Sequence, residues 1–506
     1  MIPAEWLPVA CIMIPLATGV AILPIGSDRL KGFHGLIAVI ASVATMFFTV
    51  LLVVEAFKGS IMVHLMAGWK APVGIVLAVD LFNAFIALIV AGVMLLALFF
   101  SMEYMHWETG LNYYYSFAML MLGGMMGVIL TGDLFNLFVF MELTGIAAYG
   151  LTAFRSYRAE VLEAGFRYLV LGAVGTLLIL FGVALLYGAV GTVNYADLAQ
   201  RLREGVLLPG VSGETVIPVS LILIISGLGV KAAFFPLHTV HLDATSESPS
   251  PIGAVLSGAE TKVALYAICR VLFLVFPLVN VNWGFIIALV SLFTMTLGNV
   301  AALLQNDIKR MLAYSSVAHI GYILIGVAAG SVLGISGALF HIFNHSVMKG
   351  ISFLCAGIFI HQVGTRKLGE LSSVGRKLPV TTVILSITFL SLIGVPPLSG
   401  FASKFILFTA GAVAGMVWLV IAGIVNSALS AGYYLRFLKV LVRLSPNPRL
   451  EKAVEASPLM LTPPLLLLVL VIVFGIWPQP ILELSEQAAL SLFDTGRYIS
   501  TVMGGR

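Results

Sequence analysis

The sequence has 506 residues, 60% of them hydrophobic and 10% charged, less than half of the roughly 25% charge that a typical soluble domain carries. With a mean hydropathy of +1.08, no water-soluble surface can be built, which excludes a soluble enzyme, a nucleic-acid binder and a secreted disulfide scaffold. The net charge of +4 is therefore no evidence of an acidic partner. Cys11, Cys269 and Cys355 lie far apart in apolar runs with no C-x-x-C pair, so no disulfide framework or metal cluster is indicated. No cofactor or redox centre is expected in the chain. The first apolar run has Pro3 and Glu5 ahead of it and no basic start, and it reads as a first span rather than a signal peptide.

Apolar segments bounded by Gly, Pro and charge fall near 2–23, 33–54, 79–101, 114–131, 134–153, 164–189, 216–236, 250–275, 281–303, 311–330, 332–360, 379–410, 415–441 and 460–477. They predict an all-α polytopic membrane protein of about 14 transmembrane helices. Of the 27 basic residues, sixteen, from Arg29 to Lys452, fall in or beside loops that follow odd-numbered spans, and seven, from Lys58 to Arg506, fall on the other side. Basic loops stay in the cytoplasm, so both termini are expected outside the cytoplasmic membrane of a bacterium or archaeon. The other four, Lys231, Lys262, Lys349 and Lys404, lie inside apolar spans. A charge there costs at least ~2.5–3.5 kcal/mol, so such a residue faces a paired or wet interior, unless its long stem snorkels to the headgroups.

Taken in chain order, the fifth span carries Glu142 nine residues past Asp133, about 13 Å along a helix and near mid-membrane. With a lysine beside it, Glu142 forms a proton switch; alone, it stays neutral and hydrogen-bonded. In the seventh span, Gly227, Gly229 and Pro236 bracket Lys231 and predict a broken helix there, with His238 and His241 just beyond. In the eighth span Glu260 precedes Lys262 by two residues. That spacing points the two side chains apart, so Glu260 is not the natural partner of Lys262.

The eleventh span sets His341, His345 and Lys349 at i, i+4 and i+8, one helix face about 12 Å long. A proton relay suits two imidazoles that titrate near neutrality; a metal site, with no third ligand evident, and plain core histidines are the alternatives. In the twelfth span Pro396, Pro397 and Gly400 stand just before Lys404 and predict a second broken helix. Two broken helices five spans apart predict two inverted five-helix repeats, with His319 of the tenth span answering Glu142. The expected units are 1–110 (spans one to three), 111–276 (first repeat), 277–442 (second, inverted repeat) and 443–506 (span fourteen and tail).

The strings TGDLFNLFVFME, KAAFFPLHTVHLDATSESPSPIGAVLSGAETK, QNDIKRMLAYSSVAHIGY and HIFNHSVMKG resemble the antiporter-like membrane subunits shared by Mrp-type sodium/proton antiporters, respiratory complex I and membrane-bound hydrogenases. The first string most resembles the D subunit of the Mrp antiporter. The resemblance spans roughly residues 75–440 and implies fourteen helices around a Glu/Lys/His axis. It gives proton-translocation roles to Glu142, Lys231, Lys262, His341, His345, Lys349 and Lys404, with His319, Glu260, His238 and His241 as accessory candidates. None is a catalytic, cofactor or metal residue.

The sequence departs from that pattern where Thr245 and Ser248 stand in place of a second histidine after Pro236, and at Glu260. Asp307, Lys309 and Arg310 read as a solvated or interface-forming turn, and no C-terminal lateral helix fits the roughly 29 residues that follow the last span. The implied function is a proton-translocating subunit of a multisubunit Na⁺ or K⁺/proton antiporter. The alternative is the ion-pumping subunit of a redox-driven complex, whether hydrogenase, sulfur reductase or complex I-like. Either way its partners are other membrane subunits, protons, the exchanged cation and the lipid bilayer, with no nucleic acid.

Overall fold

The structure, a computed structural model, describes residues 3–25, 31–210, 212–276, 282–443 and 448–504. Arg29, Arg506 and the expected junction at 276/277 thus fall wholly or partly outside the described residues. Lipid offers backbone amides no partners, so long apolar runs close their hydrogen bonds internally as helices. Among the described residues, twelve unbroken helices are long and apolar enough to cross a membrane. Aspartates start several of them: Asp80 caps Leu81–Tyr104, Asp133 caps Leu134–Thr152 and Asp307 caps Ile308–Ala329, each accepting from backbone N–H groups of the first turn.

The fourteen expected spans resolve into these twelve and two interrupted helical segments. Residues 250–275 run as Ser250–Val255, a π-helical turn Leu256–Glu260, Thr261–Arg270 and a second π turn Val271–Val275. Residues 379–413 run as Pro379–Ile393 and Ser399–Val413, with Gly394 between them at φ 98°. The seventh helix, Gly213–Ala232, ends at Ala233 with φ 58°, and helix resumes at Thr239–Glu247. That break lies past Lys231, not around it. Gly227 and Gly229 stay helical, and Gly227 serves packing: a Cβ there would lie 2.3 Å from the Gly175 carbonyl oxygen of the sixth helix, Ala159–Val190.

The core is organised around the tenth and eleventh helices, Ile308–Ala329 and Val332–Val363, which are 94% and 83% buried along their apolar windows, against 33–39% for the first two and the last. Those peripheral helices turn Val, Leu, Ile and Phe side chains outward, as a lipid-facing surface does. Two features escape a search for twenty-residue apolar runs. A short antiparallel hairpin pairs Met62–Leu65 with Val76–Val79, and two helices, Gln479–Phe493 and Thr495–Met503, follow the last span, the first packing on the third and eleventh helices.

Two parts of the chain repeat one local geometry. At the start of the fifth helix Asp133 pairs with Asn194, Leu134 N–H donates to the Val193 carbonyl at 2.9 Å, and Tyr195 N–H donates to Gly132 at 2.9 Å. At the start of the tenth, Asp307 pairs with Lys367, Ile308 N–H donates to Arg366 at 3.0 Å, and Leu368 N–H donates to Asn306 at 2.8 Å. The helices between, Ala159–Val190 and Val332–Val363, are both 32 residues long and end on a left-handed glycine, Gly191 and Gly364.

A buried line of lysine and histidine

Lys231 is the penultimate residue of the seventh helix and is 4% exposed. Its Nζ donates to the Tyr149 hydroxyl at 2.8 Å and lies 4.8 and 5.6 Å from the ring centroids of Tyr149 and Tyr168, close enough for both π faces to stabilise the charge. Gly145 makes the room: a Cβ there would sit 2.9 Å from Nζ. The expected Glu142–Lys231 ion pair is not formed among the described residues, because Tyr149, two turns beyond Glu142, takes the position beside the ammonium. Glu142 is half-buried, one turn from Gly145 on the fifth helix.

Glu260, in the π turn of the eighth segment, is 3% exposed and accepts from the Tyr168 hydroxyl at 2.6 and 2.7 Å. Lys262 points elsewhere, its Nζ donating to the Ser257 carbonyl at 2.6 Å and the Thr261 hydroxyl at 2.8 Å. The same turn reaches the other half of the molecule, with Ser257 and Ser316 hydroxyls 2.6 Å apart and Gly258 against the Ser346 carbonyl. A π turn exposes side chains and carbonyls that a regular helix would hide, which is why such turns gather at functional sites. Of the two histidines after the seventh break, His241 Nε2 hydrogen-bonds Thr245 Oγ1 at 3.0 Å, and His238 packs near the Phe235 ring with its Nδ1 buried and unpartnered.

In the second half His341, His345 and Lys349 are all fully buried, and His319 of the tenth helix joins them. His319 Nδ1 is 3.1 Å from His341 Nε2, His341 Nδ1 is 2.9 Å from the Ser403 hydroxyl, and the His345 ring lies 5.0 Å from that of His319. His319 Nε2 and both His345 nitrogens are buried with no hydrogen-bond partner among the described residues. Lys404 donates to the Leu392 and Ile393 carbonyls at 2.9 and 3.1 Å and to Ser427 Oγ at 2.7 Å. Its cation thus closes the C-terminal carbonyls of the half-helix before the break, where the helix dipole favours positive charge. The Tyr322 ring covers it at 4.6 Å. Lys349 donates to Leu312 O at 3.0 Å and to the Ser315 hydroxyl, itself 2.8 Å from Tyr434 Oη.

At the start of the tenth helix, Asp307, Lys309 and Arg310, expected as a solvated or interface-forming turn, make contacts within the chain. Lys309 is 4% exposed and donates to the Ser248 carbonyl. Arg366 binds Glu247 through two nitrogens at 2.6 and 2.7 Å and Asp307 at 2.5 Å, and Arg310 reaches Asp243 at 3.2 Å. Burial alone lowers the Arg366 value, but Glu247 and Asp307 hold the guanidinium above it, fixed in its charged form. Far from this rim, Arg270 and Asp80 form a fully buried bidentate pair with both contacts at 2.8 Å, the guanidinium lying 5.3 Å from the Tyr498 ring centroid.

Sequence reasoning finds the cations and imidazoles but misses the hydroxyls that hold them, Tyr149, Ser315, Ser403 and Ser427, and the Tyr168 hydroxyl that holds Glu260. Tyr149 is the one with a legible signal, standing seven residues from Glu142 on the same helix face. Glu142 is nine residues past its cap Asp133 and His319 twelve past Asp307, so the two do not stand at the same distance from their helix caps.

The fold and this interior define a polytopic membrane protein with buried lysines beside two helix breaks and a π turn, and a further lysine and three histidines on two unbroken helices. The NADH:quinone oxidoreductase/Mrp antiporter transmembrane family matches residues 131–430. The chain is 32% identical to the N subunit of the F420H2 dehydrogenase of Methanosarcina mazei, covering 95% of this chain and 97% of that one. It is 31% identical to the D subunit of the Na⁺/H⁺ antiporter of Alkalihalophilus pseudofirmus, covering 97% and 98%. Its structure superposes on a chain of the membrane-bound sulfane sulfur reductase, an archaeal respiratory membrane complex, with a TM-score of 0.89, 32% identity and 98% and 100% coverage. The chain belongs to the NADH:quinone oxidoreductase/Mrp antiporter family and is an antiporter-like membrane subunit.

Proposed function

We propose that this chain moves protons through the membrane as one subunit of a multisubunit monovalent cation/proton antiporter. The observation that carries the reading is the set of four lysines, Lys231, Lys262, Lys349 and Lys404, and three histidines, His319, His341 and His345, buried within the membrane-spanning segments, each lysine hydrogen-bonded to hydroxyl or carbonyl oxygens. Buried cations at membrane depth serve transport by default, because their burial is otherwise a pure cost. Protons pass Lys231 and Lys262, cross by His341, His345 and Lys349, and leave near Lys404, with His319, His238 and His241 as accessory groups. Glu142, half-buried on the fifth helix, is drawn toward a charge in a neighbouring membrane subunit and returns; its approach stabilises charged Lys231 and its withdrawal releases the proton. The fixed positive charges disfavour a Na⁺ path on the same axis.

The repeated Asp133/Asn194 and Asp307/Lys367 geometry supports two five-helix repeats over 111–276 and 277–442, inverted because five is odd. Both termini lie outside. The second reading, an ion-pumping subunit of a redox-driven complex, is favoured by the likeness to a dehydrogenase subunit and to a sulfur reductase chain.

The test is sodium-dependent proton movement in inverted vesicles carrying the whole operon, with Lys231→Ala and Glu142→Gln beside wild type. Exchange in wild type that is lost in both variants is the expected outcome. Proton movement that needs hydrogen, ferredoxin or NAD(P)H instead of sodium moves the chain to the redox-driven reading. Undiminished transport in Glu142→Gln removes Glu142 from the mechanism.

A further inference from the structure

Glu260 is a buried carboxylate that the proposed path does not use. An ionised carboxylate can accept about four hydrogen bonds, yet among the described residues a single hydroxyl, that of Tyr168, serves both of its oxygens. A carboxylate so poorly served cannot hold its charge in an apolar interior unless a cation shares it. The Tyr168 ring that holds Glu260 has the Lys231 ammonium 5.6 Å from its centroid. Tyr149, which accepts from that ammonium, meets Tyr168 edge-to-face at 4.8 Å. Lys262, two residues from Glu260, is turned away into the carbonyl of Ser257.

We propose that Glu260 is the internal proton-exchange partner of Lys231, joined to it across the Tyr149–Tyr168 pair. The inference rests on the proton-translocation reading above and adds a fixed buried carboxylate to the movable Glu142. In the exchange one N–H bond of the Lys231 ammonium breaks and one O–H bond forms on Glu260. An ammonium and carboxylate become an amine and a carboxylic acid, and the net charge of the cluster is unchanged. Lys231 can therefore release its proton without placing a new charge in the apolar interior, where an unpaired charge is costly.

The test uses the whole complex in inverted vesicles, driven by whichever of sodium or electron donor drives the wild type, with the amount of assembled complex measured for each variant. Glu260→Gln keeps the shape and the acceptor of a neutral acid but cannot exchange a proton. A roughly tenfold or greater loss of initial proton-transfer rate per assembled complex is expected, in line with removal of one acid–base group, with partial rescue in Glu260→Asp. Wild-type rate in Glu260→Gln overturns the inference, since a purely structural neutral acid is replaced by Gln without loss. Should Glu260→Gln fail to assemble, Tyr168→Phe removes the linking hydroxyl and keeps the packing: a slowed rate supports the inference and a wild-type rate overturns it. Lys231→Ala in the same vesicles separates the two levels. If it too transports normally, the proton path itself is wrong; if it is inactive while Glu260→Gln is normal, only the role of Glu260 falls.

Discussion

Gly145 decides where the Lys231 ammonium rests. A Cβ at that position would lie 2.8 Å from the Tyr149 hydroxyl and 2.9 Å from Lys231 Nζ, both far ends of movable side chains. Gly145→Ala is therefore expected to fold and assemble normally while pushing the ammonium off Tyr149 and slowing proton transfer, measured as vesicle rate per assembled complex. An unchanged rate would mean that the Lys231–Tyr149 contact is incidental. Arg270 and Asp80 illustrate a different residue-scale role. Their bidentate pair is fully buried and matched at both ends, and breaking such a pair by removing one partner typically costs ~3–5 kcal/mol. It fastens the eighth segment to the start of the third helix, far from any mobile charge.

Among elements, the sixth and seventh helices approach at glycine. Gly227 faces the Gly175 carbonyl and Ile179, and Gly182 faces the Ser220 carbonyl, so the backbones meet without side chains between them, the packing favoured in lipid. Gly227→Leu has nowhere to place its side chain. It is expected to force the helices apart and reduce assembled complex, read by its yield after mild detergent extraction, whereas Gly188→Leu, with open space around its Cα, is expected to have no effect. The sixth–seventh contact bears on the proposed proton path, because the seventh helix carries Lys231 and the sixth carries Tyr168.

For the whole molecule, the two breaks hold their lysines differently. Lys231 lies at the end of the half-helix before its break and uses the Tyr149 hydroxyl, whereas Lys404 follows its break and turns back onto the carbonyls of the preceding half-helix. The proposed inverted arrangement is tested through orientation. A cysteine at exposed Glu486 is expected to react with an impermeant maleimide from outside intact cells, and one at exposed Lys377 only in inverted vesicles. Labelling of both from the same side would rule out the assigned topology.

The sequence by itself determined the membrane class, the apolar spans, the four intramembrane lysines and the presence of breaks near Lys231 and Lys404, because composition and proline or glycine placement act locally. It did not reveal that Tyr149 rather than Glu142 contacts Lys231, that Glu260 accepts from Tyr168, or that Lys309 is buried and donates to the Ser248 carbonyl. Nor did it reveal that the eighth segment is interrupted by π turns. Those outcomes depend on which helix faces pack together and on glycines that clear space for a neighbour's side chain. Such contacts join residues 61 to 92 positions apart, and helical periodicity carries no information at that range. Tertiary packing thus chose the partners for charges that the sequence had already placed in the membrane.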